Sequence, residues 1–148
     1  MVLPPALDRT LSLLRTSIAG VEEPWWVIGS AAVVLHDRPD PHVADVDVLL
    51  GRRSAARLFP ALGIVPSPGT ESGLFRSELF GRWCEGPLPI EFMAGFHVRG
   101  DRGWTELRPA TREPVAGVFV PSRDELCRIL RSFGRPKDLE RARLLAGG

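Results

Sequence analysis

Residues Trp26 to Leu50 read WVIGSAAVVLHDRPDPHVADVDVLL, and the acidic pair inside this stretch constrains the chain most. A short apolar run ends at Gly29-Ser30, a run of small residues follows, and Asp45-Val46-Asp47 interrupts a second apolar run. Alternate side chains of a β-strand share a face. Asp45 and Asp47 therefore point the same way and Val46 points into the core. Two carboxylates on one face of an otherwise apolar strand are costly unless positive charge lies between them. The partner that suits hard carboxylate oxygens is a divalent cation, which often carries the phosphates of a nucleotide.

The rest of the chain alternates helix and strand signals. Leu7, Leu11, Leu14 and Ile18 fall at helical spacing, with Gly20 as the stop. Pro24 precedes a strand at 25–28. Ser30 is placed to cap a short helix over 31–35. Two prolines make 37–42 irregular and exposed, and a second strand is expected over 44–50. Ser54 reads as the cap of another short helix, limited by Pro60. A Pro-, Gly- and Ser-rich loop covers 66–73. Strands are expected at 74–80, 82–84 and 90–94, a turn at 100–103, and a strand end within 114–120. Ser122-Arg-Asp-Glu125 has the form of a capping box, opening a helix that runs to Phe133 and stops at Gly134. Pro136 fits the first turn of a last helix reaching Leu145. The expected fold is of the α/β class, α+β in type: a small mixed β-sheet flanked by helices, in one domain over 1–148.

Composition narrows the function classes. The chain is 44% hydrophobic and 25% charged with a net charge of +1, so no bulk field recruits nucleic acid or an anionic membrane. Arginine supplies almost all positive charge, which makes Lys137, the single lysine, stand out. Cys84 and Cys127 lie far apart without CxxC spacing, so a reduced, cytoplasmic protein is expected. There is no secretory leader pattern and no apolar run near the ~18 residues of a membrane span.

The block formed by Gly29-Ser30 and Asp45-Val46-Asp47 resembles the nucleotidyltransferase superfamily, in particular its small, minimal bacterial members. In these a Gly-Gly or Gly-Ser pair is followed by Asp-x-Asp and by a third carboxylate on a later strand. Glu91, in Leu88-Pro-Ile-Glu-Phe-Met, is the best candidate here, with Glu78 and Glu85 as weaker ones. Gly134-Arg-Pro-Lys-Asp-Leu also looks like a segment common in uncharacterised members. The resemblance implies an α/β enzyme that moves a nucleoside monophosphate from a nucleoside triphosphate to a hydroxyl with Mg²⁺ or Mn²⁺. It implies metal binding and catalysis by Asp45, Asp47 and Glu91, with Glu91 able to act as general base. Gly29 would allow close backbone approach to the phosphates, and Ser30 and Lys137 would contact them. In this reading Lys137 reaches the triphosphate, or Asp138 bonds back to the sheet to fix the last helix.

Some features depart from the pattern. Fourteen residues, 31 to 44, separate Ser30 from Asp45. Val43 stands where many relatives have Thr or Ser, and Arg128 or Arg131 where many have lysine. These departures favour an alternative: an inactive nucleotide-binding or toxin–antitoxin-like regulatory module on the same fold. A third reading is an interaction domain with no nucleotide site. A chain of this size leaves little room for an acceptor domain, so loops, a partner protein or a second subunit would meet the acceptor, whether small molecule, protein or tRNA. His36, His42 and His97 lack metal-ligand spacing. Trp25 and Trp26 read as strand core with one partly exposed indole, able to stack on a base. Arg52 and Arg53 read as a solvated turn that could meet a polyanion.

Overall fold

A computed structural model describes residues 1–39, 43–67 and 72–147. The elements are α1 (Pro5–Ile18), β1 (Trp26–Ile28), α2 (Gly29–Leu35), β2 (Val46–Leu50), α3 (Arg52–Leu62), β3 (Phe75–Arg76), β4 (Leu79–Trp83), β5 (Ile90–Ala94), β6 (His97–Gly100), β7 (Gly103–Glu106), β8 (Glu113–Val115), β9 (Val118–Val120), α4 (Arg123–Phe133) and α5 (Pro136–Ala146).

The central sheet has the order β1-β2-β5-β4. The β2–β5 pair is parallel and its neighbours are antiparallel, so the sheet is mixed as expected. One face carries Val46, Val48, Ile90 and Phe92, all at most 1% exposed. There Phe59 of α3 packs against Phe92, with ring centroids 6.1 Å apart. Gly81 of β4 makes room for this contact, since a Cβ there would lie 2.8 Å from the Phe59 ring. The opposite face carries Asp47 and Glu91, and α2 packs against β1 and β2. A second sheet, β3-β6-β7, and the β8-β9 hairpin complete the strands among the described residues. Among the described residues no helix is long and apolar enough to cross a membrane.

Several expectations are corrected locally. Strand β2 begins at Val46, which leaves Asp45 just ahead of it. Ser30 is not a cap: Ile28 holds that position and Ser30 sits buried inside α2. Ser54 is likewise inside α3, behind Gly51, and donates both its N–H and its hydroxyl to Glu23 Oε1 at 2.8 and 2.6 Å. Pro60 is accommodated within α3, and Gly63, at φ 69°, is the stop. The strand expected over 74–80 is two, β3 and β4, because the Glu78 N–H turns to the carbonyls of Ala94 and Gly95. The strand at 82–84 is the end of β4, and 114–120 falls within a full hairpin turning at Ala116-Gly117, both at positive φ.

Only half of the capping box at α4 forms. Ser122 Oγ accepts from the Glu125 N–H at 3.2 Å, but the Glu125 carboxylate accepts instead from the N–H groups of Ala110 and Thr111 at 2.7 and 2.8 Å. The Ser122 N–H turns to Thr111 Oγ1. Glu125 thereby moors the 110–111 loop to α4. Both cysteines are free thiols, Cys84 exposed and Cys127 buried.

Candidate active site

Strand register assembles the carboxylates. In the parallel β2–β5 pair Asp47 stands beside Glu91, and on the other side of β2 Ile28 stands beside Asp47. Asp45, one residue ahead of the strand, returns to the same side. Each of Asp45, Asp47 and Glu91 offers an oxygen within 4.8 Å of the others, and all three are half-buried.

Such crowding is electrostatically unfavourable. Burial, with the charges of Asp45 and Glu91, pushes the Asp47 carboxyl up to about 7, while Arg135 and Arg141 pull it partly back. Burial also raises Glu91, together with a hydrogen bond and the charge from Asp45. A shared proton or a bound cation relieves such crowding.

Gly29 is built into this geometry. Its φ is +69°, and a Cβ there would lie 2.9 Å from Asp47 Oδ2. A side chain would be strained at that backbone angle and would push the Asp47 carboxylate away. Gly29, Ser30 and Lys137 line the same cleft as the three carboxylates, a space of about 330 Å³. The six residues assigned to the site from the sequence, Gly29, Ser30, Asp45, Asp47, Glu91 and Lys137, therefore border one cavity.

The cleft also holds residues whose roles the sequence did not reveal. Arg135 and Arg141 line it beside Lys137. Asp138, 1% exposed, accepts from the Arg135 backbone N–H at 3.2 Å, Nε at 2.6 Å and Nη2 at 3.0 Å, and Arg141 Nη1 lies 4.0 Å from it. Asp138 thus caps its own helix and braces two arginines, in place of the expected bond back to the sheet. The Arg135 guanidinium lies over the Phe75 ring, 4.9 Å from its centroid. Phe75, Phe96 and Phe133 pack together and form an aromatic wall of the cleft. The i,i+3 spacings of Arg135, Asp138 and Arg141 were a readable signal for the brace. The aromatic wall joins three distant segments and had none.

Other singled-out residues lie outside the cleft. His36 Nε2 is 2.8 Å from the Pro121 carbonyl and His97 Nδ1 is 2.7 Å from the Gly95 carbonyl, both structural contacts. His42 lies outside the described residues. Arg52 and Arg53 open α3 in place of the expected turn, and Arg52 pairs with Glu78 and Glu106, which holds Glu78 outside the cleft. Glu85, Arg128 and Arg131 are exposed, and Val43 packs against the core. Trp25 is buried edge-on to Phe119, and Trp26 is half-buried.

No protein-family model matches the chain, and no curated protein matches it. Solved structures do. The crystal structure of TM1012 from Thermotoga maritima, described as a candidate nucleotidyltransferase, superposes with a TM-score of 0.77 at 18% identity, over 99% of this chain and 96% of that one. The solution structure of the antibiotic-resistance factor ANT(2'')-Ia superposes with a TM-score of 0.59 at 13% identity, over 94% of this chain and 84% of that one. At these identities the likeness is one of fold. With its mixed four-stranded sheet, flanking helices and these neighbours, the chain has the nucleotidyltransferase-like fold.

Proposed function

We propose that the protein is a metal-dependent nucleotidyltransferase that moves a nucleoside monophosphate from a nucleoside triphosphate to a hydroxyl. The convergence of Asp45, Asp47 and Glu91 within 4.8 Å, facing a cationic helix, carries this reading. Three hard oxygen donors so close together fit a divalent cation such as Mg²⁺ or Mn²⁺, and Asp45, Asp47 and Glu91 would hold it. When bound, the ion supplies positive charge at the reacting phosphoryl group.

The chain's own groups do the rest. Lys137 and the braced Arg135 balance the phosphate charge from α5. Gly29 keeps the backbone close to the Asp47 side, and Ser30 meets the phosphates beside it. The acceptor oxygen forms a bond to the α-phosphorus as the bond to the pyrophosphate oxygen breaks, and pyrophosphate leaves. Glu91, raised by burial and by Asp45, takes the hydroxyl proton.

The test is thermal stability with ATP, CTP, GTP and UTP, each with and without Mg²⁺ or Mn²⁺, on wild type and Asp47→Asn. Ligand at ~100 times Kd stabilises the native state by about 2.7 kcal/mol. A metal-dependent shift in wild type, absent from the variant, is expected. No shift with any nucleotide and either ion would refute the proposal.

A further inference from the structure

The sheet face that bears the carboxylates continues beyond them. Two residues along, the register sets Trp26, Leu49 and Met93 side by side across β1, β2 and β5. This apolar row floors a second cleft of about 490 Å³. Met93 and Phe96 line both clefts, so the two adjoin on one sheet face. The carboxylate cleft, at about 330 Å³, is at the small end of ligand sites. A two-substrate reaction at Asp45, Asp47 and Glu91 needs space for a second substrate.

Trp26 is held as a platform. Its Nε1–H donates to the Thr111 carbonyl at 2.9 Å, and the Arg112 guanidinium lies over the ring, 6.0 Å from its centroid. The indole stays half-buried at the cleft wall. The charges at the mouth are Arg52, Arg53 and Arg108 against Glu23 and Glu106, one positive charge in excess among the described residues. Glu106 is shared between Arg52 and Arg108, and Glu23 is committed to Ser54. Such a mouth repels a polycation and accepts a neutral or anionic group.

We infer that this second cleft is the acceptor site, and that the acceptor is a small hydroxylated ring compound, neutral or anionic, stacked on Trp26. The inference rests on the proposed nucleotidyl transfer and names its second substrate. Aromatic stacking and a cationic rim act together: the ring lies on the indole, the anionic end meets Arg53, and the hydroxyl points past Met93 toward Glu91.

The test is ligand-observed NMR on the full chain with 4-hydroxybenzoate as probe. Tyramine serves as the cationic phenol and kanamycin as a polycationic polyol. 4-Hydroxybenzoate should bind wild type more tightly than either comparator. Trp26→Leu should weaken it by roughly 10-fold or more. Arg53→Glu, at an exposed position that leaves the fold intact, should reverse the preference toward tyramine. Failure of 4-hydroxybenzoate to bind wild type, equal binding by Arg53→Glu, equal binding by a folded Trp26→Leu, or tighter binding of kanamycin would each overturn the assignment. The nucleotide-induced thermal shift is measured on the same samples. A shift without phenol binding sinks the acceptor assignment alone, whereas phenol binding without a shift sinks the transferase reading and leaves a ring-binding cleft.

Discussion

Replacing Asp47 by asparagine should make the metal-free protein more stable. The Asp47 carboxyl is pushed from 3.8 to about 7, first by burial and then by Asp45 and Glu91. Between those values the folded protein holds a proton that the unfolded chain releases. Stability therefore falls as pH rises through this window. A rise of about 3 units, at ~1.36 kcal/mol per unit, corresponds to about 4 kcal/mol lost by pH 8. Water at the cleft mouth screens part of this, so Asp47→Asn should recover roughly 1–3 kcal/mol.

The assay is urea denaturation in EDTA at pH 5, 6, 7 and 8. With a slope of ~1–3 kcal/mol/M, the variant's midpoint should lie about 1 M above wild type at pH 8, with the gap narrowing steadily toward pH 5 and closing as pH falls to the unfolded value of 3.8. Adding Mg²⁺ should stabilise wild type and leave the variant unchanged. A variant no more stable than wild type at pH 8, or a difference independent of pH, would refute the reasoning. Either result would mean that Arg135 and Arg141 already compensate the buried charge.

Three further substitutions probe the supports of the site. Gly29→Ala should cost about 1–2 kcal/mol through its positive φ and, by displacing Asp47 Oδ2, abolish the metal-dependent nucleotide shift; denaturation and the shift assay check both. Asp138→Asn should cost roughly 1–3 kcal/mol and loosen Arg135, read as faster amide exchange in the first turn of α5 and weaker nucleotide binding. Glu125→Gln should cost about 1 kcal/mol at pH 7. Burial raises the Glu125 carboxyl, but the bonds from Ala110 and Thr111 win and hold it below its usual range. That contribution is present at neutral pH and lost as pH falls through the folded value, so the difference from wild type should shrink in acid.

Local signals placed the elements that local chemistry controls. Ser122 and Gly134 bracket α4 at its observed ends, because a side-chain cap and a left-handed glycine act within one turn. Strand β5 has the expected bounds, set off by the prolines before it and Gly95 after it. Where a contact crosses the chain, local reading failed. Glu125 matches a capping box in sequence, yet its carboxylate is claimed by Thr111, fourteen residues away. Ser54 looks like a cap, yet Glu23 takes its hydroxyl from outside the helix. The β6–β7 hairpin was visible only as a turn, since its strands are short and mostly polar and lack a sustained alternation.

The same division runs through the candidate site. The Asp45–Asp47 spacing is a local property and was readable as one carboxylate-bearing face. The partnership with Glu91 depends on β5 lying parallel to β2 with Asp47 beside Glu91, a pairing that no window of sequence contains. That register has a second consequence. It sets Ile28, Asp47 and Glu91 in one row and Trp26, Leu49 and Met93 in the next, so a single face changes from anionic to apolar within two residues. A one-residue slip of β5 against β2 would move Glu91 to the buried face and Phe92 to the open one. The packing of Phe92 on Phe59 opposes such a slip. The buried face therefore fixes the register that the open face uses for chemistry. Phe59→Ala should consequently impair nucleotide binding as well as stability, although Phe59 lies outside the carboxylate cleft.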